Sequence, residues 1–365
     1  MVSRFVFLVP ALSQPRCIKR IASIKDMGYY CNVYGYKRGK YDVNEYPAGI
    51  NVQVLDTVSD GDYFRKAIKS WKNLSRVVVS DKGADVAFYA FGFFQAFVCA
   101  IKGVKYIYEI SDIFYAYPGL KKIKWLLKFI DRILIKKSTL TVMTSGGFLE
   151  FFKIEENKKI LIVPNKVSPH LAAIPRKALG DTLDSLRFGY VGSIKYDSIF
   201  RFADTIGKYY PNFHFDFYGS ATEDIQAKID EVVSKYENVN SHGVYKNPDD
   251  LESIYSGIDI VIACYDVNSE NERIAEPNKL YESLYFCKPI IVSDGIYLAR
   301  RVKELDCGFS IDASIVENIR DFIDGLTSSE LKRISEKDFN TPVEEIMNNP
   351  ESLQKAIKQL VDIQH

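Results

Sequence analysis

The sequence predicts an α/β protein made of two doubly wound domains. Three observations support this prediction. Short apolar segments of strand length alternate with helical segments along the whole chain. The alternation stops in a polar, proline-containing stretch at 164–185 and then starts again, which indicates a domain boundary. A chain of 365 residues is long for one domain and comfortable for two.

The first half contains seven apolar segments that we interpret as strands. These segments lack polar alternation, which is typical of strands buried on both faces of a parallel sheet. Helices fit between them, for example at 16–27, where Ile18, Ile21 and Ile24 form an apolar stripe. The predicted strands are 5–9, 30–36, 52–58, 85–91, 105–110, 140–144 and 160–163.

The second half repeats this pattern, so we assign an N-terminal domain to 1–168 and a C-terminal domain to 185–340. The remaining segment, 341–365, is helical and follows the last strand of the second sheet. Two such domains leave a cleft at the carboxyl ends of their strands, where these folds bind ligands. The predicted strands are 187–191, 214–218, 239–242, 259–264, 289–292 and 308–311.

Composition excludes several classes of protein. The net charge of +1 argues against a dedicated nucleic-acid-binding protein. The six cysteines are scattered without a C-x-x-C pair and are typical of reduced core residues. The sequence contains no apolar run of membrane-spanning length and no secretory leader pattern. We therefore expect a cytoplasmic protein.

The stretch 276–294 carries the strongest functional signal. It is predicted to form a loop, a helix beginning at Pro277, a turn and a buried strand. The N-terminal end of a helix offers free N–H groups and a positive dipole end, which suit a phosphate. Lys279 adds a charge in the first turn, and Glu282 lies on the same face. This combination predicts a site for a diphosphate and the ribose of a nucleotide.

The same stretch resembles the donor-binding motif of retaining glycosyltransferases of the GT-B fold, family 4 type. In that family a P-(N/S)-K-x-x-E run leads into G-K-P and an apolar strand. Glu282 matches the second Glu of the family's E-x7-E pair. The first Glu would fall at Ile274, so Glu276 is the candidate substitute, and Cys287 stands where Gly is usual.

A second segment, at 189–195, resembles the family's V-G-(R/S)-x…K run, whose basic residues bind the donor diphosphate. Gly192 lets the backbone approach a phosphate, and Lys195 supplies charge. Ser193 replaces the commoner Arg, so the resemblance assigns more of the diphosphate to Lys195 and Lys279. The resemblance also places residues after two later strands in the nucleotide pocket. The complete predicted donor set is Gly192, Ser193, Lys195, Gly219, Val244, Tyr245, Asn278, Lys279, Leu280 and Glu282.

Candidate groups for the transfer step come from both halves. Glycosyl transfer needs an acceptor for the proton of the incoming hydroxyl. Asp112, which follows a strand of the first domain, is the first candidate and Glu109 the second; the alternative is a carboxylate that caps a loop. The predicted catalytic set is Asp112, Glu109, Glu276, Lys195 and Lys279. On the acceptor side we place Ser13 and Arg16, where Arg16 either meets an acceptor phosphate or begins a helix.

No metal or cofactor is predicted. The four histidines lack ligand spacing, and the only D-x-D, Asp60 and Asp62, is typical of a turn and a helix cap. Two lysines and a helix end would replace a metal at the diphosphate. The absence of G-x-G-x-x-G and of a P-loop motif argues against a dinucleotide dehydrogenase and a P-loop NTPase.

The resemblance implies transfer of a sugar, with retention, from a nucleoside diphosphate sugar to a carbohydrate or lipid-linked glycan, as in surface polysaccharide synthesis. It also implies that the last helix crosses back to the first domain. Two alternatives stay open at this stage. One is a nucleotide-sugar epimerase of the same fold, and the other is a non-catalytic protein that binds nucleotide sugars.

Residues 118–138 form a predicted amphipathic helix with a possible membrane contact. Ile123, Leu126, Leu127, Ile130, Ile133 and Leu134 form an apolar face that we expect to pack on the sheet. Lys121, Lys124, Lys128 and Arg132 form a stripe on the opposite face together with Trp125 and Ile135. Basic and aromatic residues together suit a lipid headgroup surface, so the helix either meets the inner face of the membrane or is a solvated helix with a half-buried Trp.

Overall fold

The computed structural model describes residues 2–38, 46–58, 63–116, 118–180 and 185–362. The chain divides into two compact units. The first comprises Met1–Pro164 together with Asn349–His365, and the second comprises Asn165–Asn348. The stretch after Pro164 belongs with the second unit because Val167 pairs with Met347 and Leu171 lies in that unit's core.

The first unit alternates strands with helices. Short 3-10 helices at Phe114–Ala116 and Pro118–Ile123 precede the helix that begins at Lys124. Its strands are β1 (Arg4–Leu8), β2 (Tyr30–Arg38), β3 (Ile50–Val58), β4 (Val86–Phe91), β5 (Tyr106–Ile110), β6 (Leu140–Met143) and β7 (Ile160–Ile162). Its first five helices are α1 (Pro15–Lys25), α2 (Tyr63–Ser80), α3 (Phe93–Ile101), α4 (Lys124–Lys137) and α5 (Gly147–Phe152).

These strands form one parallel sheet in the order β3-β2-β1-β4-β5-β6-β7. The strands β2 and β3 therefore lie on one side of β1, and the strands β4 to β7 lie on its other side. Right-handed crossovers place α1 on one face of the sheet and α2, α3 and α4 on the other. The last helix, α15 (Glu351–Asp362), also belongs to this unit: Leu353 and Ile357 lie in its core, and the side-chain amide of Gln354 donates to the Ser23 carbonyl at 2.8 Å.

The second unit has the same plan. Its strands are β8 (Arg187–Val191), β9 (His214–Tyr218), β10 (Val239–Ser241), β11 (Ile260–Ala263), β12 (Ile290–Ser293) and β13 (Gly308–Ile311). Its helices are α6 (Asp197–Tyr209), α7 (Glu223–Lys235), α8 (Leu251–Ser256), α9 (Glu270–Ile274), α10 (Asn278–Tyr285), α11 (Tyr297–Leu305), α12 (Val316–Asp324), α13 (Ser328–Phe339) and α14 (Val343–Ile346). The sheet is parallel in the order β10-β9-β8-β11-β12-β13.

The predicted α/β class and two doubly wound domains are confirmed by these sheets. Each predicted strand has an observed counterpart, with bounds that differ by a few residues at most. The segment predicted as one helix after 341 is instead two, because α14 ends at Ile346 and α15 begins after Pro350, which cannot donate a backbone hydrogen bond inside a helix. Across the described ranges, no helix is long and apolar enough to cross a membrane.

Candidate functional site

Gly192 lies directly after β8, where the direction of strand addition in the second sheet reverses. Such switch points, at the carboxyl ends of parallel strands, are where doubly wound sheets bind ligands. The φ angle of Gly192 is +133°, and a Cβ there would lie 3.1 Å from the Lys279 Nζ atom. The Gly192 N–H donates to the Tyr218 carbonyl at 2.8 Å. This backbone can therefore approach a ligand closely while holding the next loop in place.

Gly219 closes β9 against the Gly192 loop. Its φ angle is +147°, and a Cβ would lie 1.7 Å from the Gly192 carbonyl oxygen. Its N–H donates to the Gly243 carbonyl, which follows β10, at 2.7 Å. Three successive strand ends thus pack backbone against backbone, and a side chain at Gly219 would push them apart.

Lys279, in the first turn of α10, points to the same switch point. Its Nζ atom lies 4.2 Å from the centre of the Tyr190 ring and 3.5 Å from the Tyr265 hydroxyl. Burial lowers the pKa of Lys279 to about 8; Glu282 opposes this shift and the charge of Lys195 adds to it. An anion that binds beside this lysine would raise its pKa, because the negative charge favours the protonated ammonium form.

The N-terminal ends of α10 and α6 differ in how they are capped. The Asp266 carboxylate accepts the N–H groups of Asp197 and Ser198, at 2.6 and 3.1 Å, and thereby occupies the start of α6. The start of α10 follows Pro277 and receives no side-chain cap from the described residues. Of these two helices, α10 is the one whose positive end is open to a ligand.

Glu282 is buried on α10 below Lys279, and its two carboxylate oxygens have separate partners. The Tyr255 hydroxyl donates to Oε2 at 2.9 Å, and the Asn247 amide donates to Oε1 at 3.2 Å. These donors fix the orientation of the carboxylate. The structure therefore brings Glu282, Lys279, Gly192 and the Lys195 charge into one neighbourhood, as their predicted roles require.

The other predicted donor residues differ in exposure. Ser193, Val244 and Asn278 are exposed, and so is Lys195, whose Nζ atom lies 4.9 Å from the Tyr196 ring centre. Tyr245 is partly buried, and burial raises its pKa. Leu280 is a core residue with no exposed surface, so its side chain is unavailable and only its backbone could meet a ligand.

Glu276 is buried just before α10 and serves an internal network. It accepts a hydrogen bond from the Tyr281 hydroxyl, and the Arg301 Nε atom lies 3.5 Å from its Oε1 atom. Lys166, half-buried nearby, has a pKa lowered by burial, and the charge of Glu276 opposes this shift. Its predicted part in transfer stays a prediction, since both of its observed partners belong to the protein.

Glu109, the second candidate for the proton acceptor, does not lie at an open surface. Glu109, on β5, is fully buried and accepts the Tyr89 hydroxyl at 2.5 Å. Its two oxygens lie 3.2 Å from Arg16 Nε and 3.5 Å from Arg20 Nε. β5 is buried on both faces, so this carboxylate lies in the core, next to the two arginines of α1. Arg16 lies in the first turn of α1, and its guanidinium group faces the Glu109 carboxylate; a contact with an acceptor phosphate stays a prediction.

Asp112 is exposed just after β5 and so remains the available carboxylate of the predicted pair. Ser13 is partly exposed in the loop between β1 and α1. Both lie in the first unit, Ser13 after β1 and Asp112 after β5, two parallel strands that β4 separates.

The predicted faces of the 118–138 helix require correction. Ile123, Leu126 and Ile133, which we expected to pack on the sheet, are exposed, whereas Ile135 is buried. The reason is Asp131, whose carboxylate faces inward and accepts the hydroxyls of Tyr108 and Tyr115 at 2.7 and 2.9 Å. These hydrogen bonds favour the orientation of the helix in which Asp131 is buried and in which Leu126 and Ile133 are exposed.

Within the described residues, no group of three or more His, Cys, Asp and Glu side chains could hold a metal ion. Asp60 and Asp62 lie outside the described residues. All six cysteines are buried and unpaired.

Sequence reasoning missed the aromatic and polar residues that support the donor site. Tyr190 and Tyr265 flank Lys279, Tyr255 orients Glu282, and Asp266 caps α6. For Tyr190, Tyr265 and Asp266 the available signal was their position on β8 or directly after β11, where side chains reach the switch point; Tyr255, on α8, had no such signal.

No protein-family model matches the sequence, and a search among curated proteins finds no match. Solved structures do match over nearly the whole chain. Sucrose-phosphate synthase from Thermosynechococcus elongatus is 12% identical, with 98% of each chain covered and a TM-score of 0.74. HepE of Anabaena, in complex with UDP and glucose, is 12% identical, with 99% of each chain covered and a TM-score of 0.66. WaaG, a glycosyltransferase involved in lipopolysaccharide biosynthesis, is 14% identical, with 92% of this chain and 94% of that chain covered and a TM-score of 0.62.

At these identities the similarity concerns the fold. The chain has the GT-B fold, with two Rossmann-like units, as the sequence predicted.

Proposed function

We propose that this protein transfers a sugar from a nucleoside diphosphate sugar to a hydroxyl of a glycan or lipid-linked glycan. The observation that carries the proposal is the position of Lys279. Its ammonium group is held beside Gly192 at the switch point of the second unit, in the first turn of a helix without a side-chain cap. A cation, an open helix end and a glycine backbone together suit a diphosphate. The structure of HepE, which has the same fold, contains UDP, and this supports a nucleoside diphosphate as the molecule that carries the diphosphate.

In this mechanism, positive groups stabilise the diphosphate as it leaves the sugar. Lys279, Lys195 and the N–H groups at the start of α10 face the charge that develops on the leaving group. Glu282, oriented by Tyr255 and Asn247, binds the ribose hydroxyls. Asp112 accepts the proton of the incoming hydroxyl. Glu276 is proposed to act near the sugar, and retention of configuration is proposed from the resemblance of the 276–294 stretch.

We propose that no metal takes part, since two lysines and a helix end supply the positive charge. We also propose that the protein carries out this transfer at the cytoplasmic face of a membrane, in surface polysaccharide synthesis. Six buried, unpaired cysteines suit a reducing compartment, and the similarity of fold to WaaG suits a glycan acceptor.

The first experiment measures thermal stability with nucleotides. UDP should raise the melting temperature and UMP should raise it much less, because a ligand of the native state stabilises it and the site is built for the second phosphate. Lys279→Met should remove the difference between the two nucleotides. Equal shifts by UDP and UMP in the wild-type protein would contradict the diphosphate assignment.

The second experiment measures transfer. Labelled nucleotide sugars are incubated with and without lipid-linked glycan acceptors, in the presence of EDTA. A product that needs the acceptor and survives EDTA supports metal-independent transfer, whereas an epimer formed without acceptor, or binding alone, identifies one of the alternatives. Asp112→Asn should slow transfer by a factor of about 100 or more while UDP still binds.

A further inference from the structure

The first unit exposes apolar side chains along one face of α4. Trp125 is 72% exposed and Phe129 60%, and Leu126 and Ile133 are exposed as well. The spacing of these four residues places them within about 100° of arc on a helix of 3.6 residues per turn. We call this set the α4 apolar stripe. A soluble protein rarely exposes large apolar residues in a contiguous patch unless the patch meets a partner.

The neighbouring helix α3 also exposes apolar side chains. Crossovers of the same hand place α3 and α4 on one face of the sheet, and the two helices contact each other. The outer surface of α3 exposes Phe94 and Ile101. Phe94 packs on Phe114, which precedes α4, with ring centres 4.8 Å apart. The apolar surface therefore spans two adjacent helices.

Exposed charges beside the stripe are all positive on α4 and the turn before it. Lys122, Arg132, Lys136 and Lys137 are exposed there. The one acidic residue of α4, Asp131, faces inward to Tyr108 and Tyr115. The exposed side of this helix thus combines aromatic, aliphatic and basic residues without an acid.

We propose that the α4 apolar stripe and its basic residues dock this protein on an anionic lipid bilayer, with α4 lying in the plane of the interface. Apolar side chains of such a helix enter the boundary of headgroups and acyl chains, and the basic side chains meet lipid phosphates. Each Lys or Arg near an anionic surface strengthens binding by a factor of about five. The proposal deepens the membrane location given above by naming the surface, and its test does not depend on sugar transfer.

Charge decides between a bilayer and a second copy of the chain. An interface formed by the same patch on two copies would bring the basic residues of one copy against those of the other. Like charges placed together oppose such a contact, whereas an anionic lipid surface complements them.

Co-sedimentation of the full chain with vesicles tests the proposal. Vesicles of equimolar phosphatidylglycerol and phosphatidylcholine should bind the protein at low salt, and vesicles of phosphatidylcholine alone should bind it much less. Arg132→Glu/Lys136→Glu and Trp125→Ser/Phe129→Ser should each weaken binding about tenfold or more. Matched controls elsewhere are Lys303→Glu/Lys355→Glu and Phe339→Ser, which change exposed residues and should bind as the wild type does.

Fluorescence gives a direct readout of insertion. The chain has two tryptophans, and Trp71 is partly buried against Phe97. In a Trp71→Phe background, the emission of Trp125 should shift to shorter wavelength when anionic vesicles are added. Wild-type protein that stays in the supernatant at low salt, or Trp125 emission that does not change, overturns the proposal. A stable dimer that Trp125→Ser/Phe129→Ser dissociates would assign the stripe to a second copy and overturn it as well. The UDP-induced thermal shift of every variant should match that of the wild type, which separates this outcome from failure of the proposed donor site.

Discussion

The two units build the same kind of parallel sheet but use their switch points differently. In the second unit, Lys279 lies over an aromatic ring beside the Gly192 backbone, next to an open helix end. In the first unit, Arg16 and Arg20 lie on α1, the helix that follows β1, and the buried carboxylate of Glu109 lies close to both. Cations near a switch point thus pair with a buried carboxylate in the first unit, whereas we propose that Lys279 in the second unit meets a ligand.

The units also differ in their surfaces. The exposed large apolar residues of the second unit's described part are few and separated along the chain: Tyr209, Val244, Ile315 and Phe339. The first unit groups several of its own on α3 and α4. The polar chemistry of the proposed donor site and the apolar docking surface are therefore properties of different units.

The largest expected effect would come from breaking the internal pairing of the first unit. Glu109→Gln should lower the free energy of unfolding by about 3–5 kcal/mol, because it leaves two arginines beside a neutral group in the core. Urea unfolding measures this change. Asp112→Asn, three residues later but exposed, is the control and should stay within about 0.5 kcal/mol of wild type. A small effect of Glu109→Gln would mean that the arginines are not held by this carboxylate.

Asp131 can be compared directly with Glu109, since both are buried carboxylates of the first unit. The partners of Asp131 are tyrosine hydroxyls, whereas two arginines lie beside Glu109. Burial raises the pKa of Asp131 from 3.8 to about 7, and the hydroxyls of Tyr108 and Tyr115 oppose this only in part. Because the pKa is higher in the folded state, the folded protein is most stable at acid pH, where Asp131 is protonated in both states. The free energy of unfolding then falls as the pH rises from about 4 toward 7.

Wild-type protein should therefore lose about 3 kcal/mol from this group between pH 5 and pH 7, at about 1.4 kcal/mol per pH unit. In Asp131→Asn that loss should be absent. Urea unfolding at the two pH values checks it. An unchanged pH dependence in Asp131→Asn would show that Asp131 does not titrate in this range.

The next effect concerns Lys279. Because its pKa is about 8 in the unliganded protein, a diphosphate must recruit a proton to this lysine at higher pH. UDP affinity should therefore fall about tenfold between pH 8 and pH 9.5, by calorimetry. Lys279→Met should bind weakly at both pH values, and Lys279→Arg, which stays charged, should lose the pH dependence. A pH dependence that survives in Lys279→Met would point to another group.

The smallest effect would add charge at the second unit's switch point. Ser193 is exposed, and its carbonyl accepts the Tyr190 hydroxyl at 2.7 Å, so the backbone tolerates another side chain. Ser193→Arg should improve UDP affinity by up to about fivefold, the range for an exposed ion pair. Calorimetry at low and high salt measures it, and the gain should shrink with salt. A gain that salt does not reduce would indicate packing instead of charge.

The sequence by itself determined the sheets and the neighbourhood of the donor site. Apolar segments and their spacing fixed the strands, since a strand buried on both faces needs a continuous apolar run. Lys279, Glu282 and Gly192 could be named because helix starts and glycine turns have local signatures. These features depend on residues close together along the chain.

Tertiary structure alone decided which charged groups are paired and which face of α4 is buried. Glu109 and Arg16 are far apart in sequence, as are Asp131 and Tyr108, so no local pattern showed their bonds. The spacing of apolar residues along α4 predicted that Leu126 and Ile133 are buried. The hydroxyls of Tyr108 and Tyr115 make it more favourable to bury Asp131 instead. A buried carboxylate needs donors, and only the packed structure can supply them from distant strands.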